Sequence, residues 1–252
     1  MKQYLDRYLK PAYLPVAALA GGLLAMVMRL WLFGLGTDER GLLPAATFPD
    51  IFSWILAALM LALLFWCTRR LNEATKYSFN FRPSMPAAGG TLLGALGILI
   101  TCLIELISGG ERLGIFSSVM GLLAAAVLIF LAYCRWTGMK PMFLLHSFVC
   151  LWLMFHLVSH YRLWSAYPQL QTYAFELLAI IFLMLSCYQR AAFDAGNGKR
   201  KAYALFTYAA VFFCAAAIPG SATPVFYIGS ALWMFATPCN LKPLAASKKH
   251  EQ

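Results

Sequence analysis

Long apolar runs alternate with short polar stretches along almost the whole chain. They fall at approximately 12–33, 50–67, 89–107, 113–134, 141–161, 169–188, 202–218 and 223–239. A bilayer crossing takes about 17–25 apolar residues as a helix, so each run is a candidate span. The pattern predicts an all-α, polytopic membrane protein: a bundle of about eight transmembrane helices forming one integral membrane domain over 1–252.

Helix punctuation supports these boundaries. Pro11, Pro49, Pro141, Pro168 and Pro224 stand where spans begin, positions at which a missing N–H costs little. Gly109-Gly110 and Pro219-Gly220 mark tight turns between consecutive spans. The longest connection, 68–88, contains Arg69, Arg70, Lys76 and Arg82 and is expected to hold a short interfacial helix stopped by Pro83 and Pro86.

Composition turns a helical reading into a membrane reading. Hydrophobic residues make up 62% of the chain and charged residues 12%, with mean hydropathy +0.70. These values exclude an ordinary soluble domain. The net charge of +10 does not point to nucleic acid, because the basic residues flank apolar runs instead of forming a phosphate-binding surface. Arg40, Arg112 and Arg162 fall in alternate loops and Arg29 inside the first span; the other sixteen lysines and arginines lie in the terminal segments and the remaining loops. By the positive-inside rule both termini are cytoplasmic, which needs an even number of spans. Ala18-Leu19-Ala20 after Lys2, Arg7 and Lys10 imitates a signal-peptide cleavage site. The apolar run continues past it, so an uncleaved anchor is the expectation. Short loops and basic flanks fit a bacterial plasma membrane, with the lipid bilayer as the surrounding partner.

Candidate chemistry concentrates in the fifth span. Pro141 to Trp164 carries three of the four histidines. At about 100° per residue, His146, His156 and His160 share an arc of roughly 80°, with Trp164 on the same stripe and Trp152 near its edge. Ionisable groups are costly toward lipid, so this face is expected to look inward. Arg29, Glu105, His156, His160 and Glu176 are all placed in the outer third of the bilayer, on four different spans, and His146 deeper.

That coincidence predicts an outward-facing polar pocket. Arg29 would pair with Glu105 or Glu176, and the remaining carboxylate and histidines would bind a small-molecule solute or carry protons. Binding or proton-coupled transport of a small solute is therefore the leading expectation. The second is an intramembrane metal enzyme. His156 and His160 are four residues apart on one helix face, with Glu105 or Glu176 as the third ligand. Leu157 follows the first histidine, so the HExxH metalloprotease pattern is absent. Bis-histidine haem ligation is disfavoured because all three membrane histidines share one helix. No GxSxG, P-loop or dinucleotide fingerprint occurs, and no cofactor is indicated. The third expectation is a non-catalytic subunit that joins a membrane-protein partner through small-residue faces at Ala17/Gly21, Ala18/Gly22, Gly90/Gly94 and Ser117/Gly121/Ala125. Those faces equally suit packing within the chain. Cys67, Cys134, Cys187 and Cys239 recur near the basic ends of the even-numbered spans, where reduced, packed thiols are expected over a metal site or acylation.

Overall fold

The computed structural model describes residues 13–36, 43, 47–71, 75–108, 112–165 and 169–242. It is almost entirely helical. The elements are α1 (Tyr13–Gly34), α2 (Phe48–Thr68), the single turn α3 (Tyr77–Asn80), α4 (Met85–Ile107) and α5 (Arg112–Thr137). They continue with α6 (Phe143–Trp164), α7 (Leu170–Asp194), α8 (Arg200–Ala217), α9 (Pro224–Ala236) and a 3-10 turn at Thr237–Asn240. Pro11, Pro168 and Gly109-Gly110, expected at span boundaries, lie outside the described residues.

Among the described residues, six helices are long and apolar enough to cross a membrane, α1, α2, α4, α5, α6 and α7. The other two expected spans are present as helices of a different kind. α8 opens on Arg200-Lys201, and every residue from Thr207 to Ala217 is buried. A helix apolar all round belongs inside a bundle, and its five alanines between 209 and 217 keep its neighbours close. α9 has 13 residues, about 20 Å at 1.5 Å per residue, short of a hydrocarbon core of about 30 Å.

Packing follows from these differences. α4, α5, α6, α7, α8 and α9 contact one another in sequence, and α9 returns to α4 to close the circuit. α1 and α2 pack together outside it against α8. The outer faces are lipid-like. Leu23, Leu24, Val27, Leu30 and Trp31 of α1 and Leu92, Leu96, Ile100, Leu103 and Ile104 of α4 are all exposed. Contiguous apolar surface on that scale is not kept in water, whereas in a bilayer it costs nothing.

Small residues serve the chain's own packing. Gly22 lies against Ala215 and Phe212, Gly90 against Ala236, and Gly94 against Trp233. The 68–88 connection holds a short helix, as expected, of four residues ending before Pro83; Phe81 bridges to Leu241, and Pro86 does not end a helix but sits in the first turn of α4. Proline fits there because the first-turn N–H groups have no intrahelical acceptor. α4 therefore starts at Met85, capped by the Ser84 hydroxyl accepting from the Ala87 N–H.

Candidate functional site

α6 presents the predicted stripe inward. His146, His156, Trp152 and Trp164 are buried, while His160 is only partly covered. The helical spacing of four residues brings the His156 and His160 rings to 4.1 Å between centroids. Glu105, near the end of α4, closes the group: one ligand atom from each of Glu105, His156 and His160 lies within 4.8 Å of the others.

The hydrogen bonds define which atoms are free. The His160 Nδ1–H donates to the His156 carbonyl at 3.1 Å, because a carbonyl can only accept. Its Nε2 then carries a lone pair, and this faces Glu105 Oε1 at 3.7 Å. A proton or a cation between these two atoms is favoured over direct contact. The Ser118 hydroxyl on α5 lies 2.6 Å from Glu105 Oε2 and 3.0 Å from the Gly114 carbonyl. Its single proton goes to the shorter, charged acceptor, which leaves Oε1 toward the histidines. Both His156 ring nitrogens are buried without a hydrogen-bond partner. Buried polar atoms normally have one, so this imidazole stands out among the buried groups.

Aromatic rings wall the group. Trp152 lies 5.4 Å from His156 and donates its indole N–H to the Ser117 carbonyl at 3.0 Å. The indole is this close to α5 because Gly121 has no Cβ; one there would stand 2.8 Å from the indole nitrogen. Phe226 of α9 packs 5.0 Å from His156, and Trp164, next to His160, stacks on Tyr173 at 5.5 Å.

The other two predicted residues form a neighbouring cluster. Arg29 is buried; its Nη2 donates to the Thr172 carbonyl at 3.3 Å, and its guanidinium lies 4.5 Å from the Phe175 ring centre. Its charge acts on Glu176 and Asp50, and the Ser221 and Tyr227 hydroxyls adjoin the Glu176 carboxyl. Of the five candidates, then, Glu105, His156 and His160 come together, and Arg29 neighbours Glu176 instead of Glu105. Replacing Arg29 with leucine is expected to cost about 1–3 kcal/mol in thermal unfolding, because the two hydroxyls remain to solvate the carboxyl. Glu176→Gln should return part of that loss; a double variant no more stable than Arg29→Leu would show that the two are uncoupled.

Sequence reasoning missed Ser118, Asp50 and a group of charges at the opposite end of α5 to α7. There, His146 Nδ1 lies 2.6 Å from Asp194 Oδ2, with Arg135 and Arg190 buried alongside. Both arginines read as loop charges in the sequence. The available signal was that helical periodicity continues through Asp194. All seven cysteines are free; Cys67, Cys134 and Cys187 are buried and Cys239 is exposed. The chain matches no protein-family model, no curated protein and no solved structure.

Proposed function

We propose that this membrane protein binds a divalent transition-metal ion, zinc in type, at Glu105, His156 and His160, and that the ion is the small solute it takes up from the outer side. The observation that carries this reading is the buried, partnerless His156 imidazole within ligand reach of His160 and of a carboxylate that accepts from Ser118. Two imidazoles and one carboxylate are the donor set zinc favours. Ligands about 2.0–2.1 Å from a tetrahedral ion stand roughly 3.3 Å apart, so side-chain rotation alone closes the present spacing. The His160–His156 carbonyl bond and the Ser118–Glu105 bond serve as the outer-shell contacts that orient such ligands.

Arg29 and Glu176 form a separate charged cluster in this reading. Because ligands must be deprotonated to bind the ion, protons compete with it, which supplies a route to proton coupling. Binding is expected to weaken as pH falls. Short loops and basic flanks support a bacterial plasma membrane in this reading, and the distribution of basic residues supports both termini cytoplasmic. In a cysteine-free background, a cysteine near Lys199 should be shielded from impermeant thiol reagents in intact cells and one near Arg112 should react. The opposite pattern would reverse the orientation.

Metal titration tests the site itself. The purified chain should take up one zinc, and cobalt in its place should show the absorption of a tetrahedral site. His156→Gln should abolish uptake, and Ser118→Ala should weaken it by about 10–100-fold. Unchanged metal content in His156→Gln, or no metal in the parent at any pH, defeats the proposal. Three protein ligands also leave a fourth coordination position open, as in metal hydrolases. Zinc accumulation in proteoliposomes identifies a carrier; hydrolysis without accumulation identifies the enzyme.

A further inference from the structure

A second polar cluster lies at the other end of α5, α6 and α7, away from the proposed metal ligands. Arg135, His146, Arg190, Trp233 and Thr237 line a small void of about 10 Å³. That is about the room one water-sized occupant needs. Arg135 and Arg190 are 4% and 2% exposed. Arg135 gives Nη1 to the Thr91 and Thr237 hydroxyls at 2.7 and 3.1 Å, and Arg190 gives Nη1 to Asn240 Oδ1 at 3.2 Å and Nη2 to the Tyr77 hydroxyl at 3.3 Å. All of these partners are neutral. Among the described residues no carboxylate lies within ion-pair distance of either guanidinium; Asp194, the nearby acid, is held by His146.

The accounting of donors points the same way. Arg135 Nε, Arg190 Nε and Trp233 Nε1 are all buried without an acceptor. Each is an obligatory N–H donor; the Phe81 ring lies 3.5 Å from the Arg190 guanidinium, and Asp194 Oδ1, also buried without a partner, accepts from none of them. His146 Nε2 is also without a partner. With its Nδ1–H committed to Asp194, that nitrogen donates only as imidazolium, so the other three N–H groups carry the site. Two buried guanidinium charges against one carboxylate leave at least one positive charge uncompensated, which a protein interior tolerates poorly. A water molecule could accept from two of the donors but would neutralise nothing.

We propose that this void is a binding site for a small monovalent anion of the halide class, chloride being the natural occupant. The void excludes multi-atom anions such as sulfate or gluconate by size. The charge excess supplies affinity, and the Arg135, Arg190 and Trp233 N–H groups supply the coordination. The site joins α5, α7 and α9, so its occupancy ties the closure of the helix circuit to an ion.

Thermal unfolding of the purified full chain in detergent, at constant ionic strength, tests this. Exchanging sodium gluconate for sodium chloride or bromide should raise Tm by about 5 °C at a hundredfold excess over Kd, and sodium sulfate should not. Chloride-35 NMR line broadening on the parent protein gives a second readout that needs no variant. Trp233→Phe keeps an aromatic ring while removing one donor, and should weaken chloride binding by about tenfold or more. Arg190→Gln should remove the halide dependence altogether. Equal Tm in gluconate, sulfate and halides, with no line broadening, would overturn the proposal. So would a halide effect that survives unchanged in both variants, since the ion would then sit elsewhere.

Discussion

Asp194→Leu is expected to destabilise the protein more than any other single charge removal. Asp194 is 5% exposed and is the carboxylate beside two buried arginines and a buried histidine. Its Oδ2 holds His146 Nδ1 at 2.6 Å, so its loss strands the histidine donor and leaves both guanidinium charges without a nearby anion. Removing the one carboxylate beside a buried basic cluster costs about 3–5 kcal/mol, because the cations stay buried and less compensated. For a chain of this size that is a fall in Tm of roughly 6–20 °C. Combining it with His146→Leu removes the stranded donor and should recover part of the loss. A fall below 2 °C for Asp194→Leu would mean the cluster does not depend on this acid. Halide added to the Asp194→Leu variant should also restore more stability than it adds to the parent, since the anion is then the one nearby negative charge beside two guanidinium groups.

Gly229→Leu is the second large effect, and its cause is steric. α4 and α9 cross at Gly97 and Gly229. A Cβ built on Gly229 would lie 3.0 Å from the Gly97 Cα and 3.0 Å from the Leu93 carbonyl oxygen, both backbone atoms. Backbone cannot rotate away as a side chain can, so a leucine must drive the helices apart. Over-packing of this kind costs about 1–3 kcal/mol, and here the upper end is expected. The consequence is not confined to stability, because α9 carries Phe226 against His156 and Trp233 in the basic cavity. Zinc affinity and the halide dependence of Tm should both fall in this variant. Gly89→Ala is the control: nothing lies within 4 Å of the added Cβ, and replacing a helical glycine should raise stability by about 0.5–1 kcal/mol. If Gly229→Leu melts with the parent, the helix crossing is looser than the structure requires.

Much of the candidate site was legible along the chain. The angular arithmetic that placed His146, His156 and His160 on one stripe needs only a regular helix, and α6 is one from Phe143 to Trp164. The inward direction of that stripe followed from the cost of charge in lipid. The carboxylate reaching the two imidazoles was open between Glu105 and Glu176, because periodicity says nothing about which helix stands next to which. The contact between α4 and α5, with Ser118 reaching Glu105, decided for Glu105. Arg29 went the other way for the same reason: α1 packs outside the helix circuit against α8, near Glu176.

The sequence by itself determined the helical class, the membrane environment and the approximate position of every long helix, because each depends on local apolar length. It could not separate the two roles a basic residue takes at a helix end. Arg135 and Arg190 count toward topology like any loop cation, yet their side chains turn into the bundle, where Thr91, Thr237, Asn240 and Tyr77 accept from them. Nor could it show that α8 is enclosed by four neighbours while α9 is only 13 residues long. Those outcomes rest on which helices touch. Hydrophobicity is a property of one segment read alone, whereas desolvation and pairing of charge belong to contacts between segments far apart in the chain.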